Sequence, residues 1–285
     1  MPSDRQNQSL PIQPTVPAPV GGPDVSIVVP LRNEEGAIEA LVAGIVEAMA
    51  GISFELILVD DGSTDRTRAK CLGLAASDGR IRVLGHPVSA GQSAALHSGV
   101  IAACAPVVAT LDGDGQNPPG NLPALLAPLI GAGSDPAFAL VAGQRVGRKD
   151  TLSKRLASRA ANAIRSAVLR DGTRDTGCGL KAFRREAFLA LPYFNHMHRY
   201  LPALFARDGW QVAHVDVTHA PRQTGRSKYG NLDRALVGIV DLIGVAWLIR
   251  RRKRARAHPV AINNPPEPAP AEARPVPVAG DTVDA

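Results

Sequence analysis

Asp112 and Asp114 stand one residue apart in the run Leu111-Asp112-Gly113-Asp114-Gly115-Gln116, after residues 106–110, mostly apolar, and before Asn117-Pro118-Pro119. Two carboxylates at that spacing, where a buried strand gives way to a Gly/Pro-rich turn, can share a hard divalent cation and the diphosphate it neutralises. Taken alone the triplet also fits an ordinary surface turn, because Asp and Gly fill turns for conformational reasons. A second acidic turn, Asp60-Asp61-Gly62-Ser63-Thr64-Asp65, follows the apolar run 55–59. Asp61 suits a hydrogen bond from a base or ribose, while Ser63 and Thr64 equally fit a helix cap.

The elements around these turns determine whether the two can meet. Residues 25–29 form a β-branched run typical of a buried parallel strand, ended by Pro30. A helix is expected next, with Asn33 as its cap and Glu34 and Glu35 in the positive first turn. Ile38, Leu41, Val42, Ile45, Val46 and Met49 recur there at helical spacing before Gly51. Residues 55–59, 81–84 and 107–111 read as further strands, with helices running up to Leu74 and over 89–104 between them. This alternation predicts a mostly parallel sheet with helices on both faces, whose ligands sit at the carboxyl ends of the strands. Both acidic turns fall there. The second half is less regular, with a helix over 122–130, a strand over 139–142, a long basic helix over 152–169 and a strand over 212–218. The sequence has no internal repeat.

Composition sets the outer bounds. Of 285 residues, 45% are hydrophobic, ample for a real core. Residues 1–23 hold six prolines and 257–285 hold seven, so both ends read as disordered tails. That leaves a domain over 24–232 and an apolar helix with a basic run over 233–256. The net charge of +6 is matched by Arg250, Arg251, Arg252, Lys253, Arg254 and Arg256 alone. With aromatics at only 4%, a nucleic-acid partner is not expected. Cys71, Cys104 and Cys178 form no Cys-x-x-Cys pair, which argues for a reducing compartment and against structural zinc. Residues 10–20 are interrupted by prolines, unlike a signal peptide, so export is not expected.

Competing phosphate sites fail on inspection. No Gly-x-Gly-x-x-Gly follows the first strand, and no Gly-x4-Gly-Lys-Ser/Thr loop exists. An EF-hand would need Gly at Asn117 and Glu at Pro123. The cation expected at Asp112 and Asp114 is therefore Mg²⁺ or Mn²⁺, held by few protein ligands plus a diphosphate.

Residues 59–65 and 111–119 resemble the two signatures of family 2 glycosyltransferases with the GT-A fold. The run Asp175-Thr176-Gly177-Cys178-Gly179-Leu180-Lys181 and residues 221–230, Pro-Arg-Gln-Thr-Gly-Arg-Ser-Lys-Tyr-Gly, are similar to one branch. That branch is the dolichol-phosphate mannosyltransferase-like, or polyprenyl-phosphate glycosyltransferase, group. The resemblance spans residues 24–252. It implies inverting transfer of a sugar from a UDP- or GDP-linked donor to a polyprenyl phosphate. Such an acceptor is already an anion near neutral pH, so it needs cations to hold it in line more than a strong general base.

The same resemblance implies the sites. Pro30, Arg32 and Glu34 match the first donor loop, with Arg32 where an aromatic is frequent, and Asp61, Asp112, Asp114 and Gln116 complete the donor and metal set. Arg145, one of Lys154 or Arg155, and Ser158 would bind the lipid phosphate. Arg222 and Lys228 belong to a cationic, glycine-hinged loop that would close over the phosphates. In the basic helix Lys154, Ser158 and Arg165 fall on one face and Arg155 and Arg159 on an adjoining one, which also fits an exposed, solvated face, as the loop's basic residues fit a merely soluble loop.

Residues 235–249 are apolar except for Asp241 and would span only about 22 Å as a helix at roughly 1.5 Å per residue. A hydrocarbon core is about 30 Å thick, so crossing is not expected. With Trp247 and the basic run beside it, this segment reads as an interfacial anchor on an anionic membrane surface at its cytoplasmic face, or else as a core helix closing the domain. Relatives often carry transmembrane helices here, which leaves a membrane-protein partner or a homo-oligomer open. Two other functions also stay open at this point: a family 2 enzyme acting on a sugar hydroxyl, and a non-catalytic nucleotide-binding or scaffold protein at the membrane.

Overall fold

The computed structural model describes residues 21–146, 165–169, 171–220 and 231–252, with backbone only for 231–236. The chain divides into two units, Met1–Arg252 and Lys253–Ala285, and every described residue belongs to the first. The expected tails, apart from residues 21–23, lie outside the described residues.

Among the described residues seven strands form one sheet in the order β3-β2-β1-β4-β6-β5-β7. They are β1 (Val25–Leu31), β2 (Phe54–Asp61), β3 (Ile81–His86), β4 (Val107–Thr110), β5 (Phe138–Arg145), β6 (Lys181–Arg184) and β7 (Gln211–Val217). The pairs β1–β2, β1–β4, β2–β3 and β5–β7 are parallel, and only β6 runs against its neighbours β4 and β5. β2 and β4 are buried along their whole length, and β1 nearly so, which is why their sequences are mostly apolar without alternation, with the buried Ser26 of β1 donating to Glu55 of β2 at 2.6 Å.

The helices are α1 (Ile38–Ala48), α2 (Thr67–Ser77), α3 (Gln92–Ala102), α4 (Leu122–Leu126), α5 (Arg185–Leu189), α6 (Leu201–Arg207) and α7 (Asn231–Arg250). One core cluster takes Ile38, Leu41 and Ile45 of α1 and Leu122, Leu125 and Leu126 of α4 against one set of strand side chains, including Ile27, Val29 and Leu56. The second takes Leu96 and Val100 of α3, Phe188 of α5, Leu204 and Phe205 of α6 and Val245 of α7 with the opposite set, including Val28, Ile57 and Val108. Alternate side chains of each strand therefore feed two cores, as a doubly covered sheet requires.

Three expectations need correction. Asn33 does not cap α1, which begins five residues later at Ile38. It takes a left-handed φ of 57°, and its Oδ1 accepts from the Thr64 backbone N–H at 2.8 Å. The helix expected over 122–130 stops at Leu126, close before Pro128. β6, α5 and α6 lie in a stretch where the sequence suggested no element, because each is short, four to seven residues long. Of the long basic helix over 152–169, only residues 165–169 are described, and they are helical.

Candidate functional site

The site is built at the carboxyl ends of β1, β2 and β4, where the loops are tied to one another before any ligand is considered. The loops after β1 and β2 are stitched together. Asn33 N–H donates to Ser63 Oγ at 3.0 Å, Glu34 N–H to Thr67 Oγ1 at 2.8 Å and Glu35 N–H to Asp65 Oδ2 at 3.3 Å. Arg66 N–H returns to Glu35 Oε2 at 3.0 Å. Ser63 and Thr64 thus serve the neighbouring loop, and Asp65 Oδ1 takes the Thr67 N–H at the start of α2 at 2.9 Å. Pro30 and Glu34 are half-buried in this frame, and Arg32 is exposed.

Asp61, the last residue of β2, is buried and has all four acceptor positions engaged. His86 Nδ1 and Ala90 N–H meet Oδ1 at 2.7 and 2.8 Å, and Ser89 Oγ and Gly91 N–H meet Oδ2 at 2.7 and 2.9 Å. Burial pulls its pKa upward, but these hydrogen bonds outweigh it, and the carboxyl sits below the usual carboxylate range. In this arrangement Asp61 has no lone pair left for a base or ribose. It holds the 86–91 loop instead.

Asp112, immediately after β4, is gripped from both sides. Gln92 Nε2 donates to Oδ1 at 2.7 Å and Asn117 Nδ2 to Oδ2 at 3.1 Å. Neither amide was singled out from the sequence. Asp114 Oδ1 accepts the Gln116 N–H at 3.1 Å, which fixes the turn. Burial and then the Asp114 charge push the Asp112 carboxyl above its ordinary pKa, against the opposing pull of Lys181, Asn117 and Arg145. A small cavity lies below, lined by Leu96, Thr110, Asp112, Lys181, His198 and Leu201 among others. Lys181 is buried and donates to the Cys178 carbonyl.

These residues fit a divalent cation. Two carboxylates that repel each other need a shared counter-charge, and Asn117 Oδ1 beside them is buried with no hydrogen-bond partner among the described residues. Among the described residues no group of three or more His, Cys, Asp or Glu could hold a metal ion. The donor set therefore suits an ion completed by diphosphate oxygens and water better than an all-protein cage.

Beyond the carboxylates the charge changes sign. Arg145 ends β5 and forms a bidentate pair with Asp175, Nε to Oδ2 at 2.6 Å and Nη2 to Oδ1 at 2.8 Å. Gly177 N–H also donates to Asp175 Oδ1 at 3.1 Å. A Cβ on Gly177 would press on the Arg145 guanidinium, and one on Gly179 would overlap the Asp112 carboxylate. The turn 175–179 therefore touches Arg145 at one end and Asp112 at the other, and its glycines allow the approach. Arg165 is not part of an exposed cationic face. It is buried and paired with Asp171. Lys154, Arg155, Ser158, Arg222 and Lys228 lie outside the described residues.

The segment leading to residue 221 is tied to the carboxylate turn. Ala220 N–H donates to the Gln116 carbonyl at 2.9 Å, and Asn121 Nδ2 reaches Thr218 Oγ1 at 3.1 Å.

Along α7, Leu242, Val245, Leu248 and Ile249 join the second core, while Ile239, Val240, Ile243 and Trp247 are exposed. This helix closes the domain with one face and presents an apolar stripe with the other. No helix among the described residues is long and apolar enough to cross a membrane.

Comparison with known proteins agrees with this geometry. Residues 26–191 match the family described as Glycosyl transferase family 2. The chain is 34% identical over 242 residues to the dodecaprenyl-phosphate galacturonate synthase of Rhizobium johnstonii, covering 83% of this chain and 70% of that one. It is 35% identical over 213 residues to the undecaprenyl-phosphate 4-deoxy-4-formamido-L-arabinose transferase of Pectobacterium carotovorum, covering 73% of this chain and 63% of the relative's length. Among solved structures, glucosyl-3-phosphoglycerate synthase from Mycobacterium tuberculosis, bound to Mn²⁺, UDP and glucosyl-3-phosphoglycerate, superposes with a TM-score of 0.60 at 24% identity over 80% of each chain. The same synthase is also known with Mg²⁺ and UDP. The expected GT-A fold is thereby established.

Proposed function

We propose that this chain, which belongs to glycosyl transferase family 2, transfers a sugar from a nucleoside diphosphate to a polyprenyl phosphate, yielding a lipid-linked sugar for cell-envelope glycans. The observation that carries this reading is the 175–179 turn, which sets a half-buried cation, Arg145, beside the acidic donor turn at Asp112. A phosphate acceptor fits that junction of opposite charges, and the names of both polyprenyl-phosphate relatives agree with it.

In this reading Asp112 and Asp114, with Gln116 beside them, hold Mg²⁺ or Mn²⁺. When bound, the ion neutralises the leaving diphosphate. Gln92 and Asn117 keep the Asp112 carboxylate oriented toward that position. Asp61 shapes the nucleoside end by fixing the 86–91 loop, with Pro30, Arg32 and Glu34 along its edge. Arg145, together with Ser158 and one of Lys154 or Arg155, holds the lipid phosphate so that one of its oxygens meets the anomeric carbon from the face opposite the diphosphate. A carbon–oxygen bond to the acceptor forms as the bond to the diphosphate breaks, with inversion and no required proton transfer. Arg222 and Lys228 draw in over the phosphates and exclude water, their segment anchored through Ala220 to Gln116.

The exposed stripe of α7, followed by Arg250, Arg251 and Arg252, suits an anionic membrane surface. It would seat the enzyme at the cytoplasmic face, where lipid phosphate and nucleotide sugar meet, alone or with a membrane-protein partner or a second copy.

The test is to incubate the purified protein with Mn²⁺ or Mg²⁺, a panel of UDP- and GDP-sugars, and either a short polyprenyl phosphate or soluble sugar acceptors. Sugar appearing on the lipid phosphate supports the reading. Transfer only to sugar hydroxyls would replace it with the hydroxyl-acceptor alternative.

A further inference from the structure

Gln144 is a polar residue near the end of β5, preceded by six residues without a polar side chain, and it is 2% exposed. Its Oε1 accepts two consecutive backbone N–H groups, from Arg174 at 3.0 Å and from Asp175 at 2.9 Å. Backbone N–H groups only donate, so the pair fixes which end of the amide faces them. Residues 174 and 175 are 30 and 31 places away in sequence and belong to no strand or helix, and this one oxygen ties their backbone to the end of β5. Asp175, thus placed, clamps Arg145, the very next residue of β5, through both Nε and Nη2. Neighbouring strand residues point to opposite faces. The end of β5 therefore holds Asp175 by its backbone with one residue and receives its carboxylate with the next. Among the described residues no hydrogen bond is made by the Nη1 end of Arg145, the end left for a second anion.

We infer that Gln144 is a positioning residue for the acceptor phosphate: it sets the height of Asp175, and Asp175 sets the direction in which Arg145 presents its remaining N–H groups. The inference rests on the proposed role of Arg145. A buried amide whose only task was to satisfy itself would be indifferent to which anion Arg145 meets. One that aims the guanidinium affects phosphate capture and leaves the nucleotide side, built on β1, β2 and β4, untouched.

The experiment is a double-mutant cycle on the full chain, with Gln144→Met, Arg145→Ala and the double variant. Three quantities are measured for each: KM for a short polyprenyl phosphate, UDP affinity in Mn²⁺, and Tm. The expected result for Gln144→Met is a rise in acceptor KM of between about tenfold and a hundredfold, the scale of an ångström-level misplacement, with UDP affinity unchanged. In the Arg145→Ala background the same substitution should add less than about twofold, since there is no guanidinium left to aim. If Gln144→Met lowers Tm so far that the protein does not fold, Gln144→Asn takes its place, retaining the amide but withdrawing the oxygen from residues 174 and 175. An undiminished effect in the Arg145→Ala background, an unchanged acceptor KM, or an equal loss of UDP affinity would overturn the inference. Arg145→Ala leaving acceptor KM unchanged would instead remove the reading of Arg145 itself.

Discussion

The acidic turns and the residues around Arg145 hold their charges in different ways. On the β3-β2-β1-β4 side, the two carboxylates that reach the site are met without a guanidinium, Asp61 by His86, Ser89 and two backbone N–H groups and Asp112 by two side-chain amides, while Asp60 and Glu55 behind them pair with Arg68 and Arg82. On the β6-β5-β7 side carboxylates are met by guanidinium groups, Arg145 by Asp175, Arg165 by Asp171 and Arg174 by Asp216. Neutral donors leave a carboxylate's charge intact for a cation to use. Ion pairs cancel charge while fixing geometry, which suits a region that must hold an arginine in place and still offer part of it to a phosphate. The contrast matches the proposed division into a metal-and-donor half and an acceptor half.

The sharpest way to break that contrast is Asp112→Asn, which keeps the shape and removes the charge. Transfer should fall by at least about a thousandfold, the scale of losing one preorganised electrostatic contact or more, with Tm changed little; activity within tenfold of wild type would remove Asp112 from the donor half. Next in size is Asp171→Ala, which leaves the Arg165 guanidinium buried without its partner and should cost about 3–5 kcal/mol in urea unfolding. A cost near zero would mean that this pair is no anchor. Asp61→Ala strips four donors of their acceptor and should cost about 2–3 kcal/mol, while loosening nucleotide binding more than acceptor binding.

Acid offers a separate view of Asp61. Because its folded pKa lies below its unfolded one, its contribution is complete above the ordinary carboxylate pKa and is lost as pH falls through the depressed folded value. Acid titration of Asp61→Asn should therefore show a smaller loss of stability below the usual carboxylate range than wild type. The same slope in both proteins would contradict the assignment. The smallest effect belongs to an exposed pair. Arg80→Ala, which removes the contact with Asp78, should change stability by less than about 1 kcal/mol, and a larger effect would mean that surface pairs also hold the donor half together.

The same contrast explains what could be read in the sequence. β1, β2 and β4 were legible because strands buried on both faces are mostly apolar, and the acidic turns stood out at their ends. The turns' partners did not. Gln92 lies twenty residues before Asp112, and Asn117 looked like turn filler. Asn33 looked like a cap because its type suits one, yet its amide was committed to the neighbouring loop. β6 is four residues long, begins with a buried lysine and ends with an arginine, so neither alternation nor an apolar run marks it. Gln144 did carry a signal, a polar residue at the end of a buried strand, but only the fold brings residues 174 and 175 to it. Arg165 belonged by spacing to a cationic helix face, and periodicity does not reveal its pairing with Asp171, six residues on.

An acceptor gripped by cations must itself be an anion. That requirement is tested by setting a short polyprenyl phosphate against the corresponding polyprenol, with one active sugar nucleotide and Mn²⁺. A lipid-linked sugar is expected from the phosphate and essentially none from the alcohol. Comparable product from the alcohol would contradict it.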